Sequence, residues 1–260
     1  MRVRAPLTLV LPAVLAAGFL AVPLLGILAD APWSDLVGRL TEPAVTEALR
    51  LSLLVSGWTL LFSLLFGIPL AWLLARVDFP GRTVVRCLVL LPMVLPPTVA
   101  GVALFQGVGR RGLLGGYLES LGVVLPFSTA GAVVASTFVA MPFLVISLEG
   151  ALAGLEPQYE EAAATMGAGP LHTLRLVTLP MLAPSLMAGA ALCWARALGE
   201  FGATITFAGN LPGTTQTLPL KVYLLLQDDP TGATAVSLLL VAVAAAVLFA
   251  LRGRWLRPLR

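Results

Sequence analysis

The sequence predicts an all-α, polytopic membrane protein with six transmembrane helices. Of its 260 residues, 58% are hydrophobic and only 11% are charged, and the mean hydropathy is +0.97. Soluble domains carry about 25% charged and about 45–50% apolar residues, so this composition excludes an ordinary water-soluble fold. Apolar runs close to the roughly 20 residues that cross a bilayer recur along the chain, with short polar connections between them.

The apolar runs divide the chain into the predicted spans. The first run is longer than the roughly 7–15 apolar residues of a secretory signal peptide, so it favours a retained helix. Residues 217–226 are apolar but too few to cross, which predicts an interfacial or re-entrant segment. The six predicted spans, which make up a single transmembrane domain over 1–260, are 7–28, 49–74, 84–105, 128–148, 182–207 and 231–251.

The third apolar run contains three prolines within six residues: Pro92, Pro96 and Pro97. Proline lacks a backbone N–H and clashes with the preceding helical turn. The run is therefore predicted to be kinked or broken, which a membrane tolerates only where the backbone contacts protein or water.

The arginines predict the orientation in the membrane. An even number of spans places both termini on one side, and most of the basic residues lie on that side. Because cytoplasmic segments are enriched in Lys and Arg, we expect both termini and the loop over 149–180 to be cytoplasmic. The arginines that carry this prediction are Arg2, Arg4, Arg76, Arg82, Arg86, Arg175, Arg252, Arg254, Arg257 and Arg260.

The sequence gives no sign of a metal, a cofactor or a nucleic-acid partner. The two cysteines form no C-x-x-C, and a single histidine cannot complete a zinc site. We expect Cys87 and Cys193 to be small core residues. The chain contains no G-x-x-x-x-G-K-[ST] phosphate loop, so use of ATP would require another subunit. Glu200 is the only carboxylate well inside an apolar run, which argues against an intramembrane hydrolase.

The polar stretch before the fifth span is predicted to form two short helices. Pro157 suits a first helical turn, and the acidic pair Glu160 and Glu161 complements the positive end of that helix. Gly167 or Gly169 would end it in a left-handed conformation, and a second helix would cover 171–177. Such a helix-turn-helix fits a groove on another protein, or it lies on the membrane surface as an ordinary loop.

This stretch resembles the cytoplasmic loop of permease subunits from ATP-binding-cassette importers. The shared pattern is E-A-A, three residues, G, nine residues, an aliphatic residue, one residue and L-P, with Val177 where isoleucine is commoner. The resemblance implies a type I ABC importer permease fold in a bacterial or archaeal inner membrane. It also implies that a separate ATPase subunit pair, which binds ATP and Mg, contacts Glu161, Ala162, Ala163, Gly167, Leu179 and Pro180.

Two further stretches narrow the resemblance, which covers about 49–251. L-P-M-V-L-P-P-T-V-A-G at 91–101 is similar to molybdate and sulfate permeases. A-R-A-L-G-E-F-G-A-T at 195–204, followed by N-L-P-G-T-T-Q-T-L-P-L at 210–220, is most similar to molybdate permeases, although many of these have arginine in place of Thr214. The resemblance implies a homodimer that imports molybdate or tungstate from an extracytoplasmic oxyanion-binding protein. The alternatives are a sulfate, thiosulfate or other anion ABC permease, or a free-standing anion carrier or channel.

Several polar residues inside the spans are candidates for the translocation pathway. Arg196 and Glu200 are spaced i, i+4, so we expect them to share a helix face and neutralise each other. They either line the anion route or form a structural bridge, and threonines in spans often bond only their own helix. A helix that restarts near Pro97 would direct free N–H groups at an anion. The candidate pathway residues are Pro97, Thr98, Ser136, Arg196, Glu200, Thr204 and Thr206.

Overall fold

The computed structural model describes residues 6–255, and every regular element within them is helical. The terminal arginines used in the orientation argument at 2, 4, 257 and 260 lie outside the described residues. The first half of the chain forms α1 (Leu7–Ala29), α2 (Leu36–Leu40), α3 (Pro43–Arg76), α4 (Arg82–Val94), α5 (Pro97–Val108), α6 (Gly115–Ser120) and α7 (Thr129–Ala153).

The second half begins with the short helices of the polar stretch and ends with one long apolar helix. Its elements are α8 (Gln158–Thr165), α9 (Pro170–Thr173), a π-helical turn (Leu174–Thr178), α10 (Leu179–Met181), α11 (Ala183–Leu198), α12 (Gly202–Phe207), α13 (Leu218–Asp228) and α14 (Pro230–Trp255).

The centre of the bundle is α7, which packs against α3 on one side and α11 on the other. The face of α3 that meets α7 carries small residues at helical spacing, among them Thr59, Ser63 and Gly67, all of them buried. A Cβ on Gly67 would lie 3.3 Å from the side chains of Leu144 and Val145. Small residues at such an interface let two membrane helices approach closely, so α3 and α7 form the rigid frame of the molecule.

Helix α1 contributes nothing to this core. Its most apolar stretch has no residue buried inside the chain, and its main contact within the described residues is with α14. A helix that is hydrophobic all round and yet exposed has its apolar surface free for lipid or for another chain.

The third apolar run is broken, as the prolines predict. Helix α4 ends at Val94, Leu95 and Pro96 adopt extended backbone with ψ of 136° and 135°, and α5 begins at Pro97. Helical dihedrals are disfavoured for a residue before a proline, and prolines donate no hydrogen bond. Pro92 alone is accommodated inside α4, whereas the consecutive Pro96 and Pro97 break the run.

The fifth apolar run is not one continuous helix, contrary to the expectation for 182–207. Helix α11 ends at Leu198, and the chain restarts as α12 at Gly202. In the described residues, four helices are long and apolar enough to cross a membrane, or five if the pair Pro170–Met181 and Ala183–Leu198, bent by 81°, is counted as one. The count of six spans stays a prediction.

The short apolar segment predicted at 217–226 forms α13, which packs against α14 and the start of α3. Asp229 follows α13 and accepts a hydrogen bond from the Gly232 N–H at 3.0 Å, which begins α14. This bond and the Arg39 guanidinium hold the pKa of Asp229 below its usual value. Cys193 is buried as expected, whereas Cys87 is exposed on α4, so the expectation of a core residue is wrong there.

Candidate functional site

The segment from Pro157 to Met181, called the coupling segment below, projects beyond the end of α7. Its first helix, α8, ends at a left-handed glycine, Gly167, with φ of 85°. The N–H of Ala168 bonds the carbonyl of Ala163 at 3.0 Å, and the N–H of Gly167 bonds that of Ala164 at 2.9 Å. These two bonds form a Schellman motif, which confirms that Gly167 ends the helix.

The second helix of the coupling segment is longer than the predicted 171–177. Pro170 opens it, and the helix passes through the π-helical turn and continues to Met181. Pro180 has no N–H to donate to the preceding turn, and the N–H of Leu179 instead bonds the carbonyl of Leu174, five residues back. The π-helical turn is wider than an α-helical one, so the helix continues as far as Pro180, which would otherwise end it.

A half-buried polar network holds the coupling segment against the bundle. Glu160 Oε2 lies 2.8 Å from Arg76 Nε at the end of α3, and Glu160 Oε1 accepts a hydrogen bond from the Thr178 hydroxyl at 2.8 Å. Arg76 Nη2 also donates to the Leu155 carbonyl at 3.2 Å. One carboxylate thus links α8 to the end of α3 and to the π-helical turn.

The sequence reasoning missed this role of Glu160. Its neighbour Glu161, which the motif singles out, is exposed, and adjacent helical residues point in different directions. The sequence does not show which side of α8 is buried; in the structure Ala163, three residues after Glu160, is the buried residue of this helix.

The exposed surface of the coupling segment is unusually apolar for a polar stretch. Glu161, Ala162 and Gly167 are exposed, and Met166 beside them is 82% exposed. Leu171 and Leu176 are also exposed on the second helix. Of the other motif residues, Ala163 is buried, Leu179 is half-buried and Pro180 is exposed. Clustered exposed apolar side chains mark an interaction surface, and the sequence reasoning did not single out Met166.

The second candidate region is the contact between α5 and α12, which lie side by side in parallel. A Cβ on Gly101 would lie 2.5 Å from Thr206 Cβ, and a Cβ on Gly202 would overlap the ring of Pro97. Both helices therefore start at the same level, and two glycines without side chains allow the contact.

Arg196 and Glu200 form the predicted ion pair, with Nη2 and Oε2 2.6 Å apart. They do not share a helix face, because α11 ends at Leu198 and Glu200 lies in the break before α12. The side chain of Glu200 is 1% exposed, and its Oε1 accepts a hydrogen bond from the Ala203 N–H at 2.8 Å. Glu200 thus satisfies a free donor at the start of α12, where the negative charge complements the helix dipole.

The remaining pathway candidates divide by exposure. Pro97 and Thr98 are exposed beside the break, whereas Ser136 and Thr204 are buried. Thr206 is half-buried and donates its hydroxyl to the Gly202 carbonyl at 2.8 Å, within its own helix. The structure therefore brings Pro97 and Thr206 to the contact between α5 and α12, whereas Thr204 is buried on α12 and Ser136 is buried on α7.

Comparison with known proteins places the chain in a family. Residues 67–258 match the family described as the inner membrane component of binding-protein-dependent transport systems. The chain belongs to this family. It is 47% identical to the molybdenum transport system permease protein ModB of Mycobacterium tuberculosis, over 94% of this chain and 92% of the relative. It is 42% identical to the protein of the same name from Escherichia coli, over 84% and 95%.

A sulfate permease is also similar. The sulfate transport system permease protein CysT of Salmonella typhimurium is 37% identical, over 86% of this chain and 81% of the relative. The fold resembles a chain in the crystal structure of a bacterial ABC transporter for alginate import, with a TM-score of 0.77 and 20% identity over 97% of this chain and 95% of that chain. A second structure of such a transporter, solved with its periplasmic protein, gives the same TM-score and identity over 96% and 93%. The chain is thus a multi-pass inner-membrane protein with the ABC importer permease fold.

Proposed function

We propose that this chain is the transmembrane permease subunit of an ATP-driven importer that moves molybdate, or tungstate, into the cytoplasm. The observation that carries the proposal is the 47% identity to a molybdenum permease over nearly the whole chain, against 37% to a sulfate permease. Substrate choice within a shared fold depends on particular residues. The chain shares more residues with the molybdenum permease than with the sulfate permease, which supports molybdate.

The coupling segment supports the ATP-driven part of the proposal. Its exposed residues Glu161, Ala162 and Gly167, together with Met166, would enter a groove on a separate ATPase subunit that binds ATP and Mg. Closure of the ATPase pair would displace α8, and the Arg76–Glu160 ion pair would carry that displacement into α3. The chain itself is a transport subunit in this scheme and hydrolyses nothing.

A second copy of the chain would enclose the pathway. The break between α4 and α5 lies on an exposed apolar face, which includes Val94, Val99 and Val102. A homodimer that buries this face would place two copies of Pro97 and Thr98 at its centre, with lipid around the outside. An extracytoplasmic binding protein would deliver the oxyanion from the side opposite the ATPase, with both termini in the cytoplasm.

Sulfate is the second candidate substrate because the similarity to a sulfate permease also covers most of the chain. Molybdate and sulfate are both tetrahedral dianions, so the choice between them rests on small differences in contacts. Competition between them measures that choice directly.

The test is uptake by a reconstituted importer. The permease, its ATPase subunit and its binding protein are assembled in proteoliposomes, and radioactive molybdate uptake is followed with internal ATP. We expect uptake to require ATP and the ATPase subunit, and tungstate to compete far better than sulfate. Equal competition by sulfate would reassign the substrate, and uptake without the ATPase subunit would indicate a free-standing carrier.

A further inference from the structure

A large cavity lies at the end of the bundle opposite the coupling segment. The start of α7 forms one wall of it, and the coupling segment follows the other end of α7, about 35–40 Å away at 1.5 Å per residue. The cavity has a volume of about 720 Å³. Its lining consists of Phe105, Gln106, Gly109, Arg110, Arg111, Val124, Pro126, Phe127 and Ser128.

The cavity is positively charged. Arg110 and Arg111 both line it and are exposed, and no acidic residue is among its lining. Within residues 6–255, neither guanidinium forms an ion pair with a carboxylate, whereas Arg39, Arg76, Arg82, Arg86 and Arg196 all do. Two adjacent arginines without partners repel each other, and an anion from outside the chain would relieve that repulsion.

The turn that carries the two arginines is fixed in shape. A Cβ on Gly109 or on Gly115 would overlap a backbone carbonyl oxygen, and a Cβ on Gly112 would lie 2.7 Å from the carbonyl oxygens of Phe105 and Gln106. The N–H groups of Leu113 and Leu114 bond the carbonyls of Gln106 and Gly107, both at 2.9 Å. The arginine pair is therefore presented by a rigid turn, which lowers the entropic cost of binding.

The aromatic wall of the cavity carries backbone strain. Phe127 is the only non-glycine residue with positive φ in the described part of the chain, at 58°. Its ring lies 5.9 Å from that of Phe105 and is also packed against Gly209. A bulky residue held in this conformation costs about 1–3 kcal/mol and occurs most often at functional sites.

The size of the cavity decides which anion fits. Sites of about 300–1,000 Å³ hold ligands of many heavy atoms, so a tetrahedral oxyanion of five heavy atoms would leave most of this cavity empty. Exposed arginines beside aromatic side chains are typical of the central contacts of protein–protein interfaces. An acidic loop of another protein therefore fits this cavity better than the free substrate does.

We propose that this cavity receives an acidic side chain of the extracytoplasmic binding protein, whose carboxylate pairs with Arg110 and Arg111. The inference rests on the proposed function, which supplies the partner, and on the predicted orientation, which places this end outside the cytoplasm. The phenyl rings of Phe105 and Phe127 would pack against the same loop.

The experiment measures the affinity of the binding protein for the whole importer. Permease and ATPase are placed in lipid nanodiscs, and the Kd of the molybdate-loaded binding protein is measured for wild type and for Arg110→Gln/Arg111→Gln. We expect the Kd to rise about tenfold or more and to lose most of its salt dependence. The pair Arg110→Lys/Arg111→Lys should retain most of the affinity, and Arg50→Gln, an exposed arginine outside the cavity, should change the Kd less than about twofold.

A double-mutant cycle identifies the acidic partner. One acidic residue of the binding protein, changed to its amide, should weaken binding to wild type but not to the double glutamine variant. An unchanged Kd for the glutamine variant overturns the inference. So does an effect that disappears in nanodiscs without anionic lipid, which would indicate a lipid headgroup site. Loss of free molybdate binding with an unchanged Kd would also overturn it. In each case uptake by the wild-type importer still tests the proposed function separately.

Discussion

The coupling segment and the contact between α5 and α12 are built in opposite ways. The coupling segment is largely exposed, is made of short helices, and contacts the end of α3 through the Arg76–Glu160 ion pair. The contact between α5 and α12 is buried, and two glycines there leave no space for a side chain. The coupling segment can move as a unit, whereas α5 and α12 can hardly be displaced relative to each other.

This difference indicates where an importer can deform. A surface element anchored by one ion pair can shift when a partner closes on it, because only a few contacts must change. Close-packed interiors transmit a displacement and resist local deformation. Force applied to α8 should therefore reach α3 and move the frame of the bundle, while α5 and α12 move together as one body.

The largest effect is expected for Glu200→Ala, at the start of α12 beside its buried contact with α5. The substitution leaves the Arg196 guanidinium without its partner and the Ala203 N–H without its acceptor. Removing one member of a buried ion pair costs about 3–5 kcal/mol. We expect much less folded complex, measured by the monodisperse yield and the thermal unfolding midpoint of the purified importer.

Glu200→Gln is the matched control, because an amide oxygen still accepts from Ala203 while the charge is lost. We expect an intermediate loss of stability for this variant. If Glu200→Ala assembles with wild-type stability and only molybdate selectivity changes, then Glu200 lines the anion route and its structural role is wrong.

A smaller effect is expected from one methyl group on α5. The Cβ of Gly101→Ala would lie 2.5 Å from Thr206 Cβ, and overpacking of this kind costs about 1–3 kcal/mol. Gly107→Ala on the same helix meets nothing within 4 Å, so it should be neutral or stabilise α5 by up to about 1 kcal/mol. The unfolding midpoint should fall for Gly101→Ala and stay the same or rise for Gly107→Ala, and equal midpoints would contradict the close contact between α5 and α12.

The parts of the fold that follow from local chemistry could be predicted from the sequence. Pro96 and Pro97 forbid a continuous helix wherever they lie, and Gly167 adopts a conformation that other residues avoid. The exposed residues of the coupling segment could also be predicted, because they belong to a motif that is recognised by the spacing of its residues along the chain. These features need no knowledge of what packs against them.

The features that depend on distant partners could not be predicted. The pairing of Glu160 with Arg76 requires the end of α3 to lie beside α8, and nothing near either residue encodes that approach. The i, i+4 spacing of Arg196 and Glu200 predicts a shared helix face, whereas α11 ends at Leu198 and α12 begins at Gly202, against Pro97. The cavity beside Arg110 likewise exists only once α5, α7 and their connection are assembled.

The smallest effect distinguishes the two adjacent glutamates of α8. Glu160→Gln weakens the bond to Arg76 inside the chain, at a cost of about 1 kcal/mol, so it should lower the unfolding midpoint slightly while the ATPase subunit still copurifies. Glu161→Gln changes only an exposed side chain, so it should leave the midpoint unchanged and weaken copurification of the ATPase subunit. If Glu160→Gln also retains ATP hydrolysis but loses uptake, the ion pair transmits the movement. Identical behaviour of the two variants in both measurements would show that α8 does not divide into an anchored face and a docking face.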